Sequence, residues 1–267
     1  MHAALDAAER TAYRERGYVV RPAVFRPAEL AELGAALERV HERVSAAAGT
    51  PTASVERVDG RRYQDLCGSR VKWEWDEAGV NAGAVRSMEP FLHLDPALAA
   101  LARDPRLVEP MRSLIGGDVD LFTDKLNFKR PGGSPFPWHQ DTPYWAFGCA
   151  HLDRLASVQL YVDEASVENG CLWMIPGSHR AGVLPTYQDR GVLGRLYTDL
   201  EHVEGSPEAL VAPAGSLVFF DGSVVHGSRS NRSAQSRRAV ILTYQPAGHP
   251  RWNTPLTSGS TSGLTAS

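Results

Sequence analysis

The chain has 267 residues, of which 43% are hydrophobic, and a formal net charge of −3. This length fits one large domain or two small ones with a sizeable core. No run of about 18 apolar residues occurs, so we expect no transmembrane helix. No long basic run occurs either, which argues against nucleic acid as a partner.

The location expected from the sequence is the cytoplasm. The first 16 residues are charged and rich in alanine, and they lack the apolar core of a signal peptide. The three cysteines, Cys67, Cys149 and Cys171, are odd in number and widely spaced. Such spacing predicts reduced thiols rather than a disulfide framework or a zinc site.

Two helical regions are predicted in the N-terminal part of the chain. Pro27 suits the first position of a helix, and apolar residues recur behind it every three or four positions until Gly49. A second helical region follows Pro96, breaks before Pro105 and stops at Gly116. The first region has no catalytic pattern, so we expect it to cover one face of a sheet.

Residues 52–95 lack a clean periodicity, and we expect them to be irregular. Loops of this length in a compact domain are usually functional or disordered. Their aromatic and basic content argues against disorder. Two alternatives remain: a surface excursion packed by its tryptophans, or a wall of the substrate pocket to which Trp73 and Trp75 contribute.

After the second helical region the hydrophobic pattern changes to a period of two, which predicts β-strands. Within residues 121–129, apolar and polar residues alternate. A polar strand face usually contacts solvent, but in a barrel with a working interior it can point inward. We predict the inward orientation for Thr123, Lys125 and Asn127, with Lys125 in the substrate pocket, and a solvated position for Lys129.

Two histidines and one aspartate have the pattern of a metal site. His139 and Asp141 are separated by one residue, so in an extended strand their side chains point to the same face. His226 would complete the set from a distant strand. Two imidazoles and one carboxylate on one side of Fe(II) leave three coordination positions open. His179 is a rival ligand, but its position after a Pro-Gly turn favours a structural role.

Aromatic residues follow the aspartate closely. Tyr144 and Trp145 either line a substrate pocket or pack the end of the strand, and we predict that they line the pocket. Residues 180–208 form a second long connection and are a candidate lid.

Arg237 and Arg238 begin the last strong strand of the sequence. Because successive strand residues face opposite sides, one arginine points inward and the other outward. An inward guanidinium beside the metal can bind a carboxylate through paired hydrogen bonds. That property suits a dicarboxylate co-substrate, and alternation alone does not decide which arginine is inward.

Five blocks of sequence carry a family resemblance. They are Glu15-Arg16-Gly17-Tyr18-Val19-Val20, Trp138-His139-Gln140-Asp141, Asn169-Gly170-Cys171-Leu172, Ile175-Pro176-Gly177-Ser178-His179, and His226-Gly227-Ser228 with Asn231 and Arg237. In these blocks the chain resembles the phytanoyl-CoA dioxygenase superfamily of Fe(II)/2-oxoglutarate oxygenases, which includes ectoine hydroxylase. The likeness spans residues 11–247 and is vague in 52–95 and 180–210, where family members differ.

The resemblance implies a mainly β fold with flanking α-helices, whose core is a double-stranded β-helix, a jelly roll of the cupin type. It implies one domain over residues 1–253, with a helical N-terminal part at 1–117 and a jelly-roll core at 118–253. The tail at 254–267 is rich in Ser, Thr and Gly and is expected to be disordered.

The resemblance also assigns roles to residues by position. It implies that the chain uses Fe(II), 2-oxoglutarate and O2. It favours Arg237 over Arg238 as the partner of the distal carboxylate of 2-oxoglutarate. The implied iron ligands are His139, Asp141 and His226, and the implied co-substrate residues are Arg237, Asn127 and Gln159.

The implied reaction is the oxidation of an unactivated C–H bond with release of succinate and CO2. Related halogenases lack the carboxylate ligand, so Asp141 favours hydroxylation, or a desaturation, epoxidation or cyclisation. The Ala- and Arg-heavy composition is typical of a GC-rich bacterial genome. We therefore expect a small-molecule substrate from bacterial secondary metabolism of the antibiotic type.

Two other functions fit parts of the sequence. The first is a cupin-type metal isomerase that does not use 2-oxoglutarate, and Arg237 argues against it. The second is a non-catalytic jelly-roll binding protein, which the intact ligand set disfavours. The sequence predicts neither the oligomeric state nor the identity of the substrate.

Overall fold

The computed structural model describes residues 4–49, 55–75, 83–146 and 148–253, so the predicted disorder at 254–267 lies outside the described residues. The helices are α1 (Ala7–Arg16), α2 (Pro27–Ala48), α3 (Pro96–Leu101), α4 (Pro105–Ile115), α5 (Thr142–Trp145) and α6 (Gly191–Gly194). The strands are β1 (Tyr18–Arg21), β2 (Glu56–Val58), β3 (Arg61–Leu66), β4 (Ser69–Trp73), β5 (Val85–Glu89), β6 (Val119–Asn127), β7 (Phe136–His139), β8 (Ala156–Tyr161), β9 (Leu172–Met174), β10 (Glu208–Ala209), β11 (Leu217–Asp221), β12 (His226–Ser228) and β13 (Ala239–Pro246).

The strands form two sheets. The larger sheet has nine strands in the order β1-β11-β8-β13-β6-β5-β4-β3-β2. The smaller sheet has four strands in the order β10-β9-β12-β7. The strand pairs that connect these orders are antiparallel. Strands β2 to β6 follow one another in the larger sheet. The other neighbours in that sheet are distant in sequence, because from β6 to β13 the chain crosses repeatedly between the two sheets.

The outer face of the larger sheet packs against the helices. Leu126 of β6, Val158 of β8 and Val240 of β13 belong to one buried apolar cluster with residues of α2, α3 and α4. Removing these side chains from water holds the helices to the sheet. The buried stripe of α2 has the predicted spacing and includes Leu33, Leu37, Val40 and Val44.

The inner face of the larger sheet lies against the smaller sheet. A second apolar cluster joins Tyr161 and Phe220 of the larger sheet to Leu172 and Met174 of the smaller one. Two antiparallel sheets therefore face each other, and helices cover the outer side of one of them. This arrangement confirms the predicted jelly-roll core with flanking helices.

The expectation that residues 52–95 are irregular is wrong. The described part of this segment forms β2 to β5, which extend the larger sheet through the pairing of Ser87 with Asn127. Two-residue turns join β2 to β3 and β3 to β4, with φ of 46° and 74° at Asp59-Gly60 and of 54° and 80° at Cys67-Gly68. Positive φ at both positions is typical of the type I′ hairpin turn, for which Asp-Gly is a strong sequence signal. The N-terminal part is thus both helical and β.

A β-bulge changes the direction of one apolar residue in β6. The register between β6 and β13 shifts between Thr243 and Tyr244, which leaves Phe122 without a partner. Strict alternation would place Phe122 on the outer face with Leu126. Its ring instead packs edge-on against Trp145, with the ring centroids 5.3 Å apart. Bulges re-aim side chains in this way and are frequent beside active sites.

No helix in the described parts of the chain is long and apolar enough to cross a membrane. Cys67, Cys149 and Cys171 are free cysteines, as the sequence predicted. Cys149 and Cys171 are buried, and a buried cysteine behaves as a small apolar residue.

Leu126→Ala tests the packing between helices and sheet. Leu126 is 0% exposed in the outer apolar cluster, so its truncation leaves a cavity. We expect the free energy of unfolding to fall by about 2–5 kcal/mol, measured by urea unfolding followed by circular dichroism. Val183 is 60% exposed and provides the control. Val183→Ala should change the free energy by less than about 0.5 kcal/mol. Equal losses in the two variants would contradict this packing.

Candidate metal centre

His139, Asp141 and His226 converge between the two sheets. Strand β12 pairs with β7 so that His226 lies opposite His139, with the ring centroids 4.2 Å apart. Nε2 of His139 is 3.8 Å from one carboxylate oxygen of Asp141, and Nε2 of His226 is 3.9 Å from the other. One ligand atom of each residue lies within 4.8 Å of the others, so the three side chains can hold one metal ion.

The backbone turns between the first two of these residues. Strand β7 ends at His139, and Asp141 has helical backbone angles (φ −75°, ψ −31°) at the start of α5. Strand alternation, on which the prediction rested, therefore does not explain their common direction. Instead, the N–H groups of Asp141 and Thr142 donate to the carbonyl of Gly222 at 2.8 and 3.1 Å. These bonds fix the aspartate against the turn that precedes His226.

Gln140 anchors this turn from the inside. The residue is fully buried, and its Nε2 donates to the carbonyls of Gly182 and Ser223 at 2.8 and 2.6 Å. Its Oε1 accepts the N–H of Leu184 at 2.9 Å. These bonds join three separate segments around the metal ligands. The sequence analysis missed this role, because a glutamine between two ligands does not indicate its own partners.

Both imidazoles present the same nitrogen to the centre. Nδ1 of His139 is 2.7 Å from the carbonyl of Pro137, and Nδ1 of His226 is 2.9 Å from the carbonyl of Val224. A carbonyl only accepts hydrogen bonds, so Nδ1 carries the proton and Nε2 is free to bind a metal. Burial lowers the pKa of His139 well below its usual value, which keeps this imidazole neutral. Neutral imidazoles with one carboxylate form a donor set suited to Fe(II).

His179 packs as a structural residue. Its ring lies so close to Gly17 that a Cβ there would be 2.7 Å from Nδ1 of the histidine. Gly17 also has φ of 83°, a conformation that favours glycine. Nε2 of His179 is 3.1 Å from the carbonyl of Arg14. The rival ligand therefore joins two of the recognised sequence blocks and lies outside the metal-binding group.

Arg237 is the inward arginine of the pair. It is 2% exposed, and its Nε and Nη2 donate to the carbonyl of Gly170 at 3.1 and 2.8 Å. Arg238 instead forms ion pairs with Asp163 and Glu38. Among the described residues, no carboxylate lies within ion-pair distance of the Arg237 guanidinium. Burial lowers the pKa of this guanidinium. A buried charge without a counter-ion is costly, so this position suits an anionic ligand.

Two buried amides lie on the same inner face. Asn127 pairs in register with Ala239, and Gln159 pairs with Ile241. Oδ1 of Asn127 and Nε2 of Gln159 are buried without a hydrogen-bond partner. Buried polar atoms in folded proteins are nearly always bonded. These two atoms are therefore suited to the polar groups of a bound molecule.

A sequence model described as phytanoyl-CoA dioxygenase (PhyH) matches residues 13–239. The chain belongs to the phytanoyl-CoA dioxygenase family. It is 30% identical over 252 residues to the "Probable alpha-ketoglutarate-dependent hypophosphite dioxygenase" of Stutzerimonas stutzeri. That alignment covers 90% of this chain and 79% of the relative.

Solved structures share the fold of this dioxygenase. EctD from S. alaskensis, with 2-oxoglutarate and 5-hydroxyectoine, aligns with a TM-score of 0.67 at 24% identity, covering 91% of this chain and 76% of the other. SnoK, a non-heme alpha ketoglutarate dependent carbocyclase from nogalamycin biosynthesis, aligns with a TM-score of 0.65 at 21% identity, covering 91% and 85%. The chain is a non-haem Fe(II)/2-oxoglutarate-dependent dioxygenase that uses O2, and its histidine–aspartate–histidine group fits that chemistry.

Two of the predicted pocket aromatics of this dioxygenase lie elsewhere. Trp73 is 3% exposed and packs with Val71 in the outer apolar cluster, so its prediction as a pocket residue is wrong. Alternation in β4 turns it away from the centre. Trp145 is buried in a small separate cluster with Phe122 and Cys149. Of the two alternatives for Trp145, the structure therefore supports packing.

Of the other three predicted pocket residues, Tyr144 and Lys125 lie toward the centre. The ring of Tyr144 is 6.2 Å from that of His139. Trp75 stacks with the guanidinium of Arg86, 4.5 Å from its ring centroid. Lys125 is on the inner face of β6, where burial lowers its pKa and the charge of Lys72 lowers it further. The carboxylate of Asp141 is close enough to oppose this shift.

Four further polar residues lie near Lys125 and Tyr144, and the sequence did not indicate them. On β4 and β5, Nζ of Lys72 is 2.7 Å from a carboxylate oxygen of Glu89. Burial raises the pKa of Tyr144 well above its usual value, and nearby Tyr197 and Tyr63 add to this effect. Tyr197 comes from the long 180–208 connection. We name six residues the inner polar cluster: Tyr63, Lys72, Glu89, Lys125, Tyr144 and Tyr197.

Lys129 is buried, so its predicted solvated position is wrong. It is 1% exposed, and its Nζ donates to Oγ of Ser228 at 2.8 Å and to the carbonyl of Arg229. Lys129 lies just beyond the end of β6, on the same inner face as Asn127. The smaller sheet covers this face through Ser228. Burial, with the nearby charges of Arg237 and Arg86, lowers the pKa of Lys129 to about 5.

Lys129→Met should flatten the pH dependence of stability. The pKa of this lysine is about 5 in the folded chain, against about 10.4 in the unfolded chain. Between these values the unfolded chain binds the extra proton, so stability rises with pH, by at most about 1.4 kcal/mol per pH unit. Urea unfolding between about pH 6 and pH 9 measures the slope. We expect a steeper slope with lysine than with methionine, and equal slopes would contradict a neutral Lys129.

Proposed function

We propose that this dioxygenase oxidises an unactivated C–H bond of a small molecule and releases succinate and CO2. The supporting observation is the convergence of His139, Asp141 and His226 in an interior that also contains Arg237 without a carboxylate partner. Hydroxylation is the simplest outcome, and desaturation, epoxidation or cyclisation would use the same residues. Asp141 supplies the carboxylate that these outcomes require.

The iron ligands in this proposal are Nε2 of His139, Nε2 of His226 and the carboxylate of Asp141. The carbonyl groups that accept from both Nδ1 atoms orient the rings and raise the basicity of Nε2. When bound, iron and 2-oxoglutarate supply the oxidising power of the reaction. The chain contributes ligands from one side only, which leaves the other side for co-substrate and substrate.

The co-substrate site in this proposal comprises Arg237, Asn127 and Gln159. The planar guanidinium of Arg237 suits the distal carboxylate of 2-oxoglutarate, because it can donate two parallel hydrogen bonds. Nε2 of Gln159 has no partner and would donate to an oxygen of 2-oxoglutarate. Asn127 would donate through its Nδ2, because the bound molecule offers only acceptors. Binding would thus pair one buried charge and two amide donors at once.

The substrate pocket in this proposal comprises Lys125, Tyr144 and Trp75 with the rest of the inner polar cluster. Its walls would come from β3 to β6 and from the 180–208 connection, because Tyr197 of that connection lies near Tyr144. Such an enclosure would exclude bulk water from the reacting C–H bond. In this proposal the 180–208 connection acts as the lid of the pocket.

We assign the substrate to bacterial secondary metabolism of the antibiotic type. The support is the Ala- and Arg-rich composition and the fold shared with SnoK. Free cysteines support a cytoplasmic location, and a net charge of −3 argues against nucleic acid as a partner. The apolar cluster that joins the helices to the larger sheet supports a single domain over residues 1–253.

A cupin-type isomerase is the main alternative, and it would not need 2-oxoglutarate. The unpaired Arg237 favours the oxygenase, because an isomerase has no use for a dicarboxylate site. Coupled assays of substrate loss and succinate formation separate the two functions. Conversion of a substrate without succinate would overturn the proposed function.

Removal of a histidine ligand should abolish the absorbance of the loaded centre. Anaerobic Fe(II) with 2-oxoglutarate should give a weak visible charge-transfer band in the unsubstituted chain. His139→Ala and His226→Ala should lose it, because each removes one of the metal's three anchors. His179→Gln should keep the band, since His179 packs against Gly17. A band that persists in both alanine variants would contradict the ligand assignment.

Arg237→Met should weaken 2-oxoglutarate selectively. Loss of a buried guanidinium that pairs with a carboxylate is expected to raise the KM for 2-oxoglutarate on the order of 100-fold. The matched control is Arg238→Met, because Arg238 already pairs with Asp163. This control should leave that KM within about threefold. Equal effects of the two substitutions on 2-oxoglutarate turnover would contradict the assignment.

A further inference from the structure

The lysines of this chain have an unusual distribution. The sequence contains 28 lysines and arginines together, and only three of them, Lys72, Lys125 and Lys129, are lysines. The remaining 25 of these cationic side chains are arginines. None of the three lysines is exposed, and all lie on or next to the inner face of the larger sheet. A lysine side chain is rarely buried unless its ammonium is paired, so each buried lysine requires a partner.

Two of the three lysines have partners within the protein. Lys72 pairs with Glu89 at 2.7 Å, and Lys129 donates to Oγ of Ser228 at 2.8 Å. Lys125 forms no hydrogen bond or ion pair with any described residue. Its polar contact is with the ring of Phe136, whose centroid is 5.7 Å from Nζ. Lys125 is thus the surplus positive charge of the inner polar cluster.

The carboxylates around Lys125 are already committed. The register of β5 with β6 places Glu89 across from Lys125, but Lys72 holds the Glu89 carboxylate. Asp141 acts on Lys125 electrostatically, yet it belongs to the metal-binding group. Arg86 adds a further positive charge nearby. An ammonium in such surroundings is costly without an anion.

The position of Lys125 separates it from the co-substrate arginine. It lies two residues before Asn127 on the same face of β6, between the proposed 2-oxoglutarate site and β5. Its charge also acts on His139, so it is near the metal centre. The side chain is half-buried, so part of it remains accessible to a ligand.

We propose that Lys125 binds an anionic group of the substrate, a carboxylate or a phosphorus oxyanion, beside the metal centre. The inference rests on the proposed function, because it assigns a substrate class to the same site. Charge pairing with Lys125 would fix one end of the substrate and direct its C–H bond toward the metal. The hydroxyl groups of Tyr63 and Tyr144 in the inner polar cluster can donate to the same anion.

The small number of lysines makes a direct test practical. Selective labelling with [ε-13C]lysine should give three NMR signals, which Lys→Met variants assign. The protein is loaded with Zn(II) as a diamagnetic substitute for iron and saturated with 2-oxoglutarate, so that the Arg237 site is filled. Propionate and methylphosphonate are then titrated as anionic probes. Their uncharged counterparts, propionamide and dimethyl methylphosphonate, are the matched control ligands.

We expect at least one anionic probe to shift the Lys125 signal in a saturable manner, and neither uncharged probe to do so. A response to propionate alone identifies a carboxylate, and a response to methylphosphonate alone identifies a phosphorus oxyanion. Lys125→Met should weaken the affinity roughly 10- to 100-fold, the range for a charged hydrogen bond. Lys125→Arg should retain the probe, because it keeps the charge.

The control variant is Arg238→Met. It removes a positive charge of the larger sheet that already pairs with Asp163 and Glu38 outside the proposed pocket, and it leaves Lys125 unchanged. Affinity for the probe should stay within about threefold of the unsubstituted chain. Unchanged Lys72 and Lys129 signals in the Lys125 variants verify that these variants are folded.

Two results would overturn the proposal. One is the absence of any Lys125 shift with either anion, or an unchanged affinity in Lys125→Met. The other is a Lys125 signal that responds to 2-oxoglutarate, with a weaker Kd for 2-oxoglutarate in Lys125→Met, which would assign the lysine to the co-substrate. Failure of the proposed function gives a different result: no visible band with Fe(II) and 2-oxoglutarate in the unsubstituted chain.

Discussion

The pairing of β12 with β7 is the contact on which the whole centre depends. It places His226 opposite His139, although the two residues are far apart along the chain. A shift of one residue in this register would turn the second histidine to the opposite face and leave the metal without a ligand. Gly227 permits the close approach of the strands, because a Cβ there would lie 2.9 Å from the carbonyl of Phe136.

The two faces of the larger sheet have opposite energetic roles. The outer face contributes stability through apolar burial against α2, α3 and α4. The inner face carries buried or half-buried cationic groups, including Arg237 and Lys125, which cost stability when they lack counter-ions. Within a single strand, the residues of one face therefore contribute to stability and the residues of the other face contribute to the site. In β6, Leu126 serves the core while its neighbours Lys125 and Asn127 serve the site.

Much of this arrangement could be predicted from local pattern. Alternation in β6 placed Lys125 and Asn127 on the inner face, and the family resemblance selected Arg237 over its neighbour. The strands β2 to β5 were missed, because they are short and one face of each is polar. Their signal was the Asp59-Gly60 turn, whose two positive φ values match a hairpin. Trp73 was misplaced for the same reason, since its direction depends on the strand that contains it.

The sequence by itself determined which residue types lie at which local spacing, and hence the helical stripes, the alternating strands and the candidate metal ligands. Only the tertiary structure decided that Asp141 reaches the centre through a turn, that Phe122 leaves the outer face at a bulge, and that Lys129 is buried. The physical reason is that periodicity records the direction of a side chain relative to its own strand. Strand register, burial and the pairing of charges depend instead on residues that are distant along the chain and meet only in the folded protein.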